Sequence, residues 1–363
     1  MQRAIQIGTG GQGSAWCAEF LPPHIADGRI DVVAAVDIDP DRHENAVTHL
    51  EIPPESCYTD AEAAFSAHPE ADFCTIVVPP WHHEEIVDLA IEYDLHVLSE
   101  KPIADTLEAS VRIAEKIEAS DVKMGVTMSH RFDRDKVGLR RAIRCDEQGE
   151  LDYLIGRFTC NARSYGSWGA FRHEMDDVLL IEGAVHQLDL LADLAGARCA
   201  SLYADTWNPT WAEYEGDVQA LVQMRFENGV RATWEGAKAN ATTLNGWGHD
   251  YVRAECRDAT VVLDGRDLKR YRYVPENEAV DGSADESDAE TLGLPDDGPW
   301  MNERLLADFI DWVEGGPMMA TNVRDNLQSM ALVDAAIESS RTGDPVDVQR
   351  HLAGTKMDID VSD

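Results

Sequence analysis

The N-terminal part of the chain alternates short apolar runs with amphipathic segments, and this alternation constrains the fold more than any other feature. Five runs are too continuous in Val, Ile, Leu and Cys for half-exposed strands. They predict buried strands at 4–8, 31–37, 72–80, 96–102 and 122–130. The clearest intervening helix is predicted over 106–120, with Asp105 and Glu108 as a capping box. Because parallel neighbours need crossover connections, the pattern predicts a doubly wound parallel sheet.

After about Cys145 the chain consists of longer segments in which apolar and polar residues alternate. They predict strands at 153–163, 217–227, 230–236, 251–256 and 259–263. Because no crossover helices separate most of them, they predict an α/β domain with an open, mostly antiparallel sheet, interrupted by one helix over 176–196. The acidic segment 275–299, rich in Gly, Ser and Pro, predicts a mobile surface loop. Two closing helices are predicted over 303–314 and 322–341.

The length of 363 residues and this change of pattern predict two domains, 1–129 and 130–363. The closing helices of 303–341 are expected to be able to dock back on the first domain. No apolar run approaches the roughly 18 residues of a membrane span. The N-terminus has no signal-peptide pattern, so we expect a soluble, cytoplasmic protein. Seven cysteines without a CxxC pair or a Cys/His cluster predict reduced thiols and no metal site.

The charge balance is strongly acidic, with 68 Asp and Glu against 31 Lys and Arg and a formal net charge of -37. Such a surface repels nucleic-acid phosphates and anionic lipid headgroups, so neither partner is expected. Lysine is depleted, with 7 Lys against 24 Arg. Because concentrated salt screens self-repulsion, the composition favours a halophilic host, and an acidic protein from an ordinary cytoplasm is the alternative.

A glycine-rich motif follows the first predicted strand directly. It reads Gly8-Thr9-Gly10-Gly11-Gln12-Gly13, the GxGxxG pattern. Glycines there allow a tight turn and let a pyrophosphate approach the amides at the next helix's N-terminus, as in a Rossmann dinucleotide-binding domain. A plain glycine-rich turn is the alternative meaning of the pattern when it is taken alone.

Asp37 ends the second predicted strand, where an acid meets the adenosine ribose. A carboxylate can accept both ribose hydroxyls and repels a 2'-phosphate, so NAD is favoured over NADP. Arg42 lies nearby and leaves NADP open. A turn aspartate is the alternative reading, because Asp39 and Asp41 follow closely.

Polar residues stand at the ends of the predicted strands 72–80 and 96–102. Pro79 and His83 lie at the end of the first of these strands, and Glu100-Lys101-Pro102 lies at the end of the second. The carboxyl ends of parallel strands line the ligand crevice, so both segments are expected to face the cofactor. A lysine beside a nicotinamide can donate to the substrate oxygen. A simple polar strand exit is the alternative for the second segment.

Further motifs continue this order along nearly the whole chain. They are Arg131-Phe132, then Glu182-Gly183-Ala184-Val185-His186-Gln187-Leu188-Asp189, and finally Gly343-Asp344-Pro345-Val346. With GxGxxG, the second-strand acid, Pro-x-x-x-His and Glu-Lys-Pro, the set resembles the glucose-fructose oxidoreductase, inositol dehydrogenase and MocA family. The resemblance implies NAD(P)-dependent hydride transfer to or from a hydroxyl of a sugar-like or polyol substrate.

The resemblance also implies a catalytic group. In that family it comprises the lysine of Glu-Lys-Pro and a histidine preceded four positions earlier by an aspartate. These correspond to Lys101, His186 and position 182, where this chain has Glu182 instead of the usual aspartate. Family members commonly pair their open sheets, which implies a homodimer or homotetramer. The alternatives are an NAD-dependent glycosidase and a non-catalytic dinucleotide sensor, of which the sensor is disfavoured because Lys101 and His186 are both present.

Glu182, His186 and Asp189 are separated by four and three residues, which places them on one helix face. A histidine there can take the hydroxyl proton as hydride leaves, and a carboxylate would stabilise the imidazolium. The surrounding leucines leave open a core histidine without a catalytic role.

Aromatic and basic residues precede this helix, and they could form a sugar-stacking wall with polar groups around it. They are Tyr165, Trp168 and Phe171, with Arg163 and Arg172. Interface or core packing is the alternative. Arg131 and Asp189 are further candidates for substrate contact, and His82, His130 and Asp189 are candidates for supporting groups behind the site.

Overall fold

The computed structural model describes residues 1–278 and 280–362, which form two compact units. The first unit contains Met1–Ser129, Pro299–Met330 and the chain from Thr355. The second contains His130–Gly298 and Ala331–Gly354. Each unit is built around its own sheet. No helix in the described ranges is long and apolar enough to span a membrane.

The first unit has a six-stranded parallel sheet in the order β3-β2-β1-β4-β5-β6. Its strands are β1 Gln2–Ile7, β2 Ile30–Val36, β3 Cys57–Tyr58, β4 Phe73–Ile76, β5 His96–Ser99 and β6 Met124–Val126. The order reverses between β1 and β4, which pair with each other in parallel. In such sheets the ligand crevice lies at this reversal, beyond the carboxyl ends of the strands. The predicted doubly wound parallel sheet is confirmed.

Some helices follow the strands of this sheet, and others belong to the second unit or close the chain. They are α1 Gln12–Ala15, a π-helical turn Trp16–Phe20, α2 Leu21–Ala26, α3 His43–His49, α4 Ala61–Ala67, α5 His83–Glu92, α6 Leu107–Glu118, α7 Arg134–Ile143, α8 Val185–Ala195, α9 Met301–Val313, α10 Val323–Thr342 and α11 Val348–Ser362. The predicted closing helices correspond to α9 and α10. The prediction missed α11.

The start of α6 differs from the predicted capping box. Thr106 is the N-cap, with an extended backbone, and its hydroxyl accepts a hydrogen bond from the Ala109 N–H at 3.1 Å. Threonine at this position satisfies one of the amides left without partners in the first helical turn. The prediction of Asp105 with Glu108 was therefore placed one residue too early.

The second unit has a nine-stranded sheet in the order β14-β13-β12-β11-β7-β10-β9-β8-β15. Its strands are β7 Leu151–Thr159, β8 Cys199–Trp207, β9 Gln219–Phe226, β10 Arg231–Ala237, β11 Tyr251–Cys256, β12 Ala259–Asp264, β13 Asp267–Arg272, β14 Ala289–Thr291 and β15 Val346–Asp347. Among the described strands of this sheet, only β7 and β10 pair in parallel. The predicted open, mostly antiparallel sheet is confirmed.

The sequence pattern did not predict five of the described strands, which are β3, β8, β13, β14 and β15. The charged strand β13 follows β12 in a tight hairpin, and its arginines form ion pairs with Glu147 and Glu290. Short β14 pairs with β13 and lies inside 275–299, which was predicted as a loop. Residue 279 of that segment lies outside the described residues. Backbone pairing with β13 thus orders a segment that has few apolar residues.

The predicted helix over 176–196 consists of two parts. A π-helical segment, Leu179–Ala184, leads into α8. Gly196 ends α8 in the left-handed conformation, with φ 70°, which a glycine adopts without steric cost. The wider π-helical turn carries Glu182, and the regular helix carries His186 and Asp189.

Candidate active site

The loop between β1 and α1 carries the glycine motif, and two of its glycines leave no room for a side chain. A Cβ on Gly8 would lie 2.0 Å from the Val77 carbonyl oxygen, and one on Gly13 would lie 2.1 Å from the Gly8 oxygen. At Gly11, with φ 49°, a Cβ would meet no protein atom within 4 Å. The loop therefore combines a tight turn with open backbone before Gln12, the first residue of α1. This arrangement fits a pyrophosphate.

The carboxylate of Asp37, directly after β2, binds this loop. Its Oδ2 accepts hydrogen bonds from the amides of Thr9 at 2.8 Å and Gly10 at 3.0 Å. Its Oδ1 accepts from the Asp39 amide at 3.0 Å. A carboxylate offers about four acceptor positions. Oδ1 therefore keeps room for a ribose hydroxyl, while Oδ2 is already used to hold the loop.

Arg42 lies against the same loop. Its Cδ would be 3.4 Å from a Cβ on Gly10, and its Nε is 3.4 Å from Asp39 Oδ2. The Thr9 hydroxyl donates to the Arg42 carbonyl oxygen at 2.9 Å, which fixes the backbone of the arginine beside the glycines. The glycine loop is therefore flanked by the carboxylate of Asp37, which favours NAD, and by the mostly exposed guanidinium of Arg42.

His83 connects the loops that follow β4 and β5. Its Nε2 lies 3.0 Å from the Val78 carbonyl oxygen, and its Nδ1 lies 3.0 Å from the Ile103 carbonyl oxygen. The ring is fully buried, and burial lowers its pKa. His83 therefore lies between a carbonyl of each loop, and its neutral ring can donate a hydrogen bond to one of the two. Pro79, in the first of these loops, is exposed.

Glu100 connects the end of β5 to the helical segment that follows the glycine loop. Its Oε1 accepts a hydrogen bond from the Trp16 indole N–H at 2.9 Å, and its Oε2 accepts from the Lys101 amide at 3.3 Å. Lys101 itself is half-buried, and its peptide bond to Pro102 is cis. The glycine loop, Asp37, His83 and Glu100 thus belong to one connected edge of the sheet.

In the second unit, Glu182 lies on the π-helical segment and is 7% exposed. Its Oε2 accepts two hydrogen bonds from Arg172, from Nε at 2.9 Å and from Nη2 at 2.7 Å. The Arg172 guanidinium also lies over the rings of Phe171 at 4.4 Å and Trp168 at 5.2 Å. The structure therefore joins a predicted catalytic carboxylate to two predicted substrate residues.

His186, one turn later, is also 7% exposed. Its ring packs against that of His130, with centroids 4.6 Å apart and the two planes tilted by 31°. The Trp247 ring lies edge-on to it at 5.8 Å and contacts His130 at 5.4 Å. The sequence did not single out Trp247, because it lies in an irregular segment without a recognisable motif.

Asp189 and Arg131, predicted as substrate contacts, form a buried ion pair. Arg131 donates from Nε and Nη2 to the two carboxylate oxygens, each at 2.5 Å. Asp189 is fully buried and Arg131 is 8% exposed. Such bidentate pairing is geometrically specific. The Arg131–Asp189 ion pair joins the start of this unit to α8, and it gives both side chains a structural role.

Sequence reasoning also missed a buried lysine in this region. Lys238 is 1% exposed, and its Nζ lies 3.7 Å from the Trp168 ring centroid, 4.2 Å from Phe158 and 4.7 Å from Trp247. Cation–π attraction stabilises an ammonium in such surroundings. The lysine, which directly follows β10, therefore holds two tryptophans beside the helix that carries Glu182 and His186. Only the lysine's position after a strand could have indicated it.

The groups at the glycine loop fit a dinucleotide. Among residues 1–278 and 280–362, no three His, Cys, Asp or Glu side chains are grouped so that they could hold a metal ion. The cradle at the glycine loop and the free acceptor capacity of Asp37 fit the pyrophosphate and ribose of NAD.

Two family models match the chain. The first, described as an oxidoreductase family with an NAD-binding Rossmann fold (GFO_IDH_MocA), matches residues 3–128. The second, described as the C-terminal alpha/beta domain of this oxidoreductase family, matches residues 149–348. The two matches cover most of the chain.

Similar proteins span most of the chain as well. An uncharacterized protein of Sinorhizobium fredii, y4oX, is 49% identical over 355 residues, which is 98% of each chain. The scyllo-inositol 2-dehydrogenase (NAD(+)) of Bacillus subtilis is 27% identical over 296 residues, which is 79% of this chain and 81% of that protein.

A solved structure with the same fold is that of an oxidoreductase from Agrobacterium radiobacter in complex with NAD+, L-tartaric acid and magnesium. Its TM-score is 0.80 at 20% sequence identity, and the likeness covers 96% of this chain and 99% of the other. At this identity the likeness is evidence for the fold alone.

Proposed function

Because this chain belongs to the glucose-fructose oxidoreductase, inositol dehydrogenase and MocA family of oxidoreductases, we propose that it oxidises a hydroxyl of a polyol or sugar-like substrate. It is an NAD-dependent dehydrogenase. The observation that carries the proposal is the buried helix on which Glu182 and His186 lie one turn apart, beside aromatic side chains.

The cofactor is held by the first unit. NAD supplies the hydride acceptor when it is bound. The glycine loop binds the pyrophosphate through its backbone amides, and Asp37 binds the adenosine ribose through Oδ1. Glu100 and His83 fix the loops that follow β4 and β5.

His186 accepts the proton of the substrate hydroxyl. A buried imidazole one turn from a carboxylate is suited to general base catalysis near neutral pH. Glu182 already shares its charge with Arg172, so its part is to orient the substrate and the histidine. Lys101 donates to the substrate oxygen and so favours loss of its proton. The longer side chain of Glu182, compared with an aspartate, sets how far its carboxylate extends.

The substrate packs on an aromatic wall. The rings of Trp168 and Trp247 provide aromatic surface around Lys238, and Arg172 provides N–H donors for hydroxyl oxygens. Sugars and cyclic polyols combine an apolar face with equatorial hydroxyls, which matches this mixture. The inositol dehydrogenase among the relatives supports this substrate class.

A substrate panel tests the proposal. The purified protein is incubated in about 2 M KCl, where screening is nearly complete, with NAD or NADP and with sugars, polyols and sugar acids. Growth of reduced-nicotinamide absorbance with one polyol class and NAD supports the proposal. Absence of signal from every substrate, with NAD retained on the protein, contradicts the proposal. That result favours either a glycosidase that oxidises its substrate transiently or a non-catalytic dinucleotide sensor.

The protein acts as a homodimer or homotetramer in the cytoplasm of a halophilic cell. The face of the second sheet that bears Tyr203, Trp207 and Leu221 exposes apolar side chains, each at least 38% exposed. Such a patch on a very acidic protein is suited to pairing with a second copy. Light scattering in high salt that finds only monomer contradicts this assembly.

A further inference from the structure

The second unit buries a lysine among three carboxylates. The Lys136 Nζ lies 2.9 Å from Asp250 Oδ2, 3.0 Å from Asp135 Oδ2 and 3.7 Å from Asp133 Oδ2, and its side chain is fully buried. Burial alone would lower the pKa of Lys136, but attraction to Asp250 and Asp135 outweighs burial and raises it. Burial raises the pKa of Asp135. The cluster has more negative than positive groups, although Arg266 lies 3.7 Å from Asp133.

Asp250 links this cluster to the histidines. Its Oδ2 lies 3.7 Å from His130 Nε2, and its Oδ1 accepts a hydrogen bond from the Gln187 side-chain amide at 3.2 Å. Gln187 is the neighbour of His186 in the chain. Burial favours the neutral form of Asp250, but Lys136 and His130 counter it, and the pKa of Asp250 is lowered. An ionised carboxylate therefore faces His130, one imidazole of the His130–His186 pair.

Charging both imidazoles, His130 and His186, would cost much electrostatic free energy because the two rings are in contact. With ring centroids 4.6 Å apart and both side chains buried, the first proton bound by the pair strongly opposes a second. The carboxylate that contacts His130 stabilises a proton on that ring. A proton on His130 then repels a proton from His186.

Two other carboxylates of this unit near the pair are balanced by a cation, Glu182 by Arg172 and Asp189 by Arg131. The Lys238 ammonium packs against aromatic rings, which carry no net charge. The excess negative charge of the Lys136 cluster thus distinguishes the His130 side of the pair.

We propose that His130 is a positioning residue for His186. The buried Asp250–Lys136 pair lies beside His130, so the first proton that the two imidazoles bind is held on His130. His186 therefore stays neutral and able to accept a proton. This inference rests on the role of His186 proposed above. The proposed role of His130 concerns only proton transfer and leaves the hydride-transfer step as described above.

The pH profile of kcat/KM tests the proposal in two variants. His130→Phe keeps a ring of similar size but removes its charge, and Asp250→Asn keeps the hydrogen-bond acceptor for Gln187 but removes the carboxylate. Both should raise the pKa of the acidic limb by about one to two units. His130→Phe removes the ring that bears the opposing positive charge, and Asp250→Asn removes the carboxylate that stabilises this charge on His130. A shift to lower pH in Asp250→Asn, or no shift in His130→Phe, overturns the proposal.

A matched control is Asp193→Asn. Asp193 lies on the same helix as His186 and pairs with Arg140 at 2.5 Å, with both side chains less than a fifth exposed. This substitution removes a carboxylate ion pair of similar geometry away from the histidines. The acidic limb should stay within about 0.3 units of wild type, well below the spread that neighbouring charges cause in proteins.

Histidine NMR separates this proposal from the proposed function. The protein is labelled at histidine ¹³Cε1, and the His186 signal is assigned by its loss in His186→Asn. In His130→Phe this signal should titrate at higher pH than in wild type, whether or not any substrate is turned over. An unchanged or lower titration point of His186 in His130→Phe overturns the proposal even if the enzyme is active. This test does not depend on whether Asp250→Asn folds.

Discussion

Arg172 donates two hydrogen bonds, from Nε and from Nη2, to a single oxygen, Oε2, of Glu182. The pair is 26% and 7% exposed, so the carboxylate is fixed in a mostly dry environment. Glu182→Gln keeps the length of the side chain but weakens this fixation, since a charged hydrogen bond becomes a neutral one. We expect kcat to fall about 10- to 100-fold, in the range of a lost contribution to proton transfer. Steady-state kinetics checks this. Glu182→Gln with wild-type kcat would separate the carboxylate from the chemistry.

The carboxylate of Asp37 holds the glycine loop and offers Oδ1 to the ribose. Asp37→Asn should raise the Kd for NAD about tenfold, corresponding to a loss of roughly 1.4 kcal/mol. The preference for NAD over NADP should narrow, because Arg42 stays in place while the repulsion of a 2'-phosphate is removed. Fluorescence titration with both cofactors measures the two constants. Asp41→Asn removes the same charge from an exposed position and should change neither.

The Arg131–Asp189 pair should contribute to stability rather than to substrate affinity. Breaking a buried pair leaves a charge without compensation, so Asp189→Asn should lower the free energy of unfolding by about 3–5 kcal/mol. Denaturant unfolding in high salt measures this. The exposed Arg141–Asp297 pair, 3.1 Å apart, is the matched control, and Arg141→Gln should cost less than about 1 kcal/mol. Equal losses in the two variants would contradict the assignment.

The composition predicts dependence on salt. At a net charge of -37, self-repulsion destabilises the compact state unless ions screen it. The thermal midpoint should rise steadily with KCl between about 0.1 M and 2 M, where the Debye length falls from about 10 Å to below 3 Å. Circular dichroism after dialysis into low salt checks this, and full retention of secondary structure would contradict it.

The sequence predicted the features that depend on local spacing. The glycine loop and Asp37 follow strands whose apolar runs are plain in the sequence, and Glu182 and His186 are one turn apart on a helix. The cap of α6 was misplaced because Asp105 and Thr106 are both good N-cap residues, and the backbone decides between them.

Contacts between distant parts of the chain could not be predicted in this way. Lys136 lies on α7, and Asp250 directly precedes β11. Nothing in the sequence around either residue indicates that the two form an ion pair. Lys238 looks like an ordinary polar residue after a strand until the fold surrounds it with three rings. Such pairings depend on tertiary packing, which periodicity does not encode.

Turnover of the His186→Ala variant tests the central claim most directly. The substrate found with the panel is used in high salt, and the Kd for NAD is measured on the same preparation. If His186 accepts the hydroxyl proton, kcat falls by roughly 10²-fold or more. The Kd for NAD stays within about twofold, and His49→Ala, which removes an exposed histidine, leaves both unchanged. Wild-type turnover in His186→Ala would contradict the account.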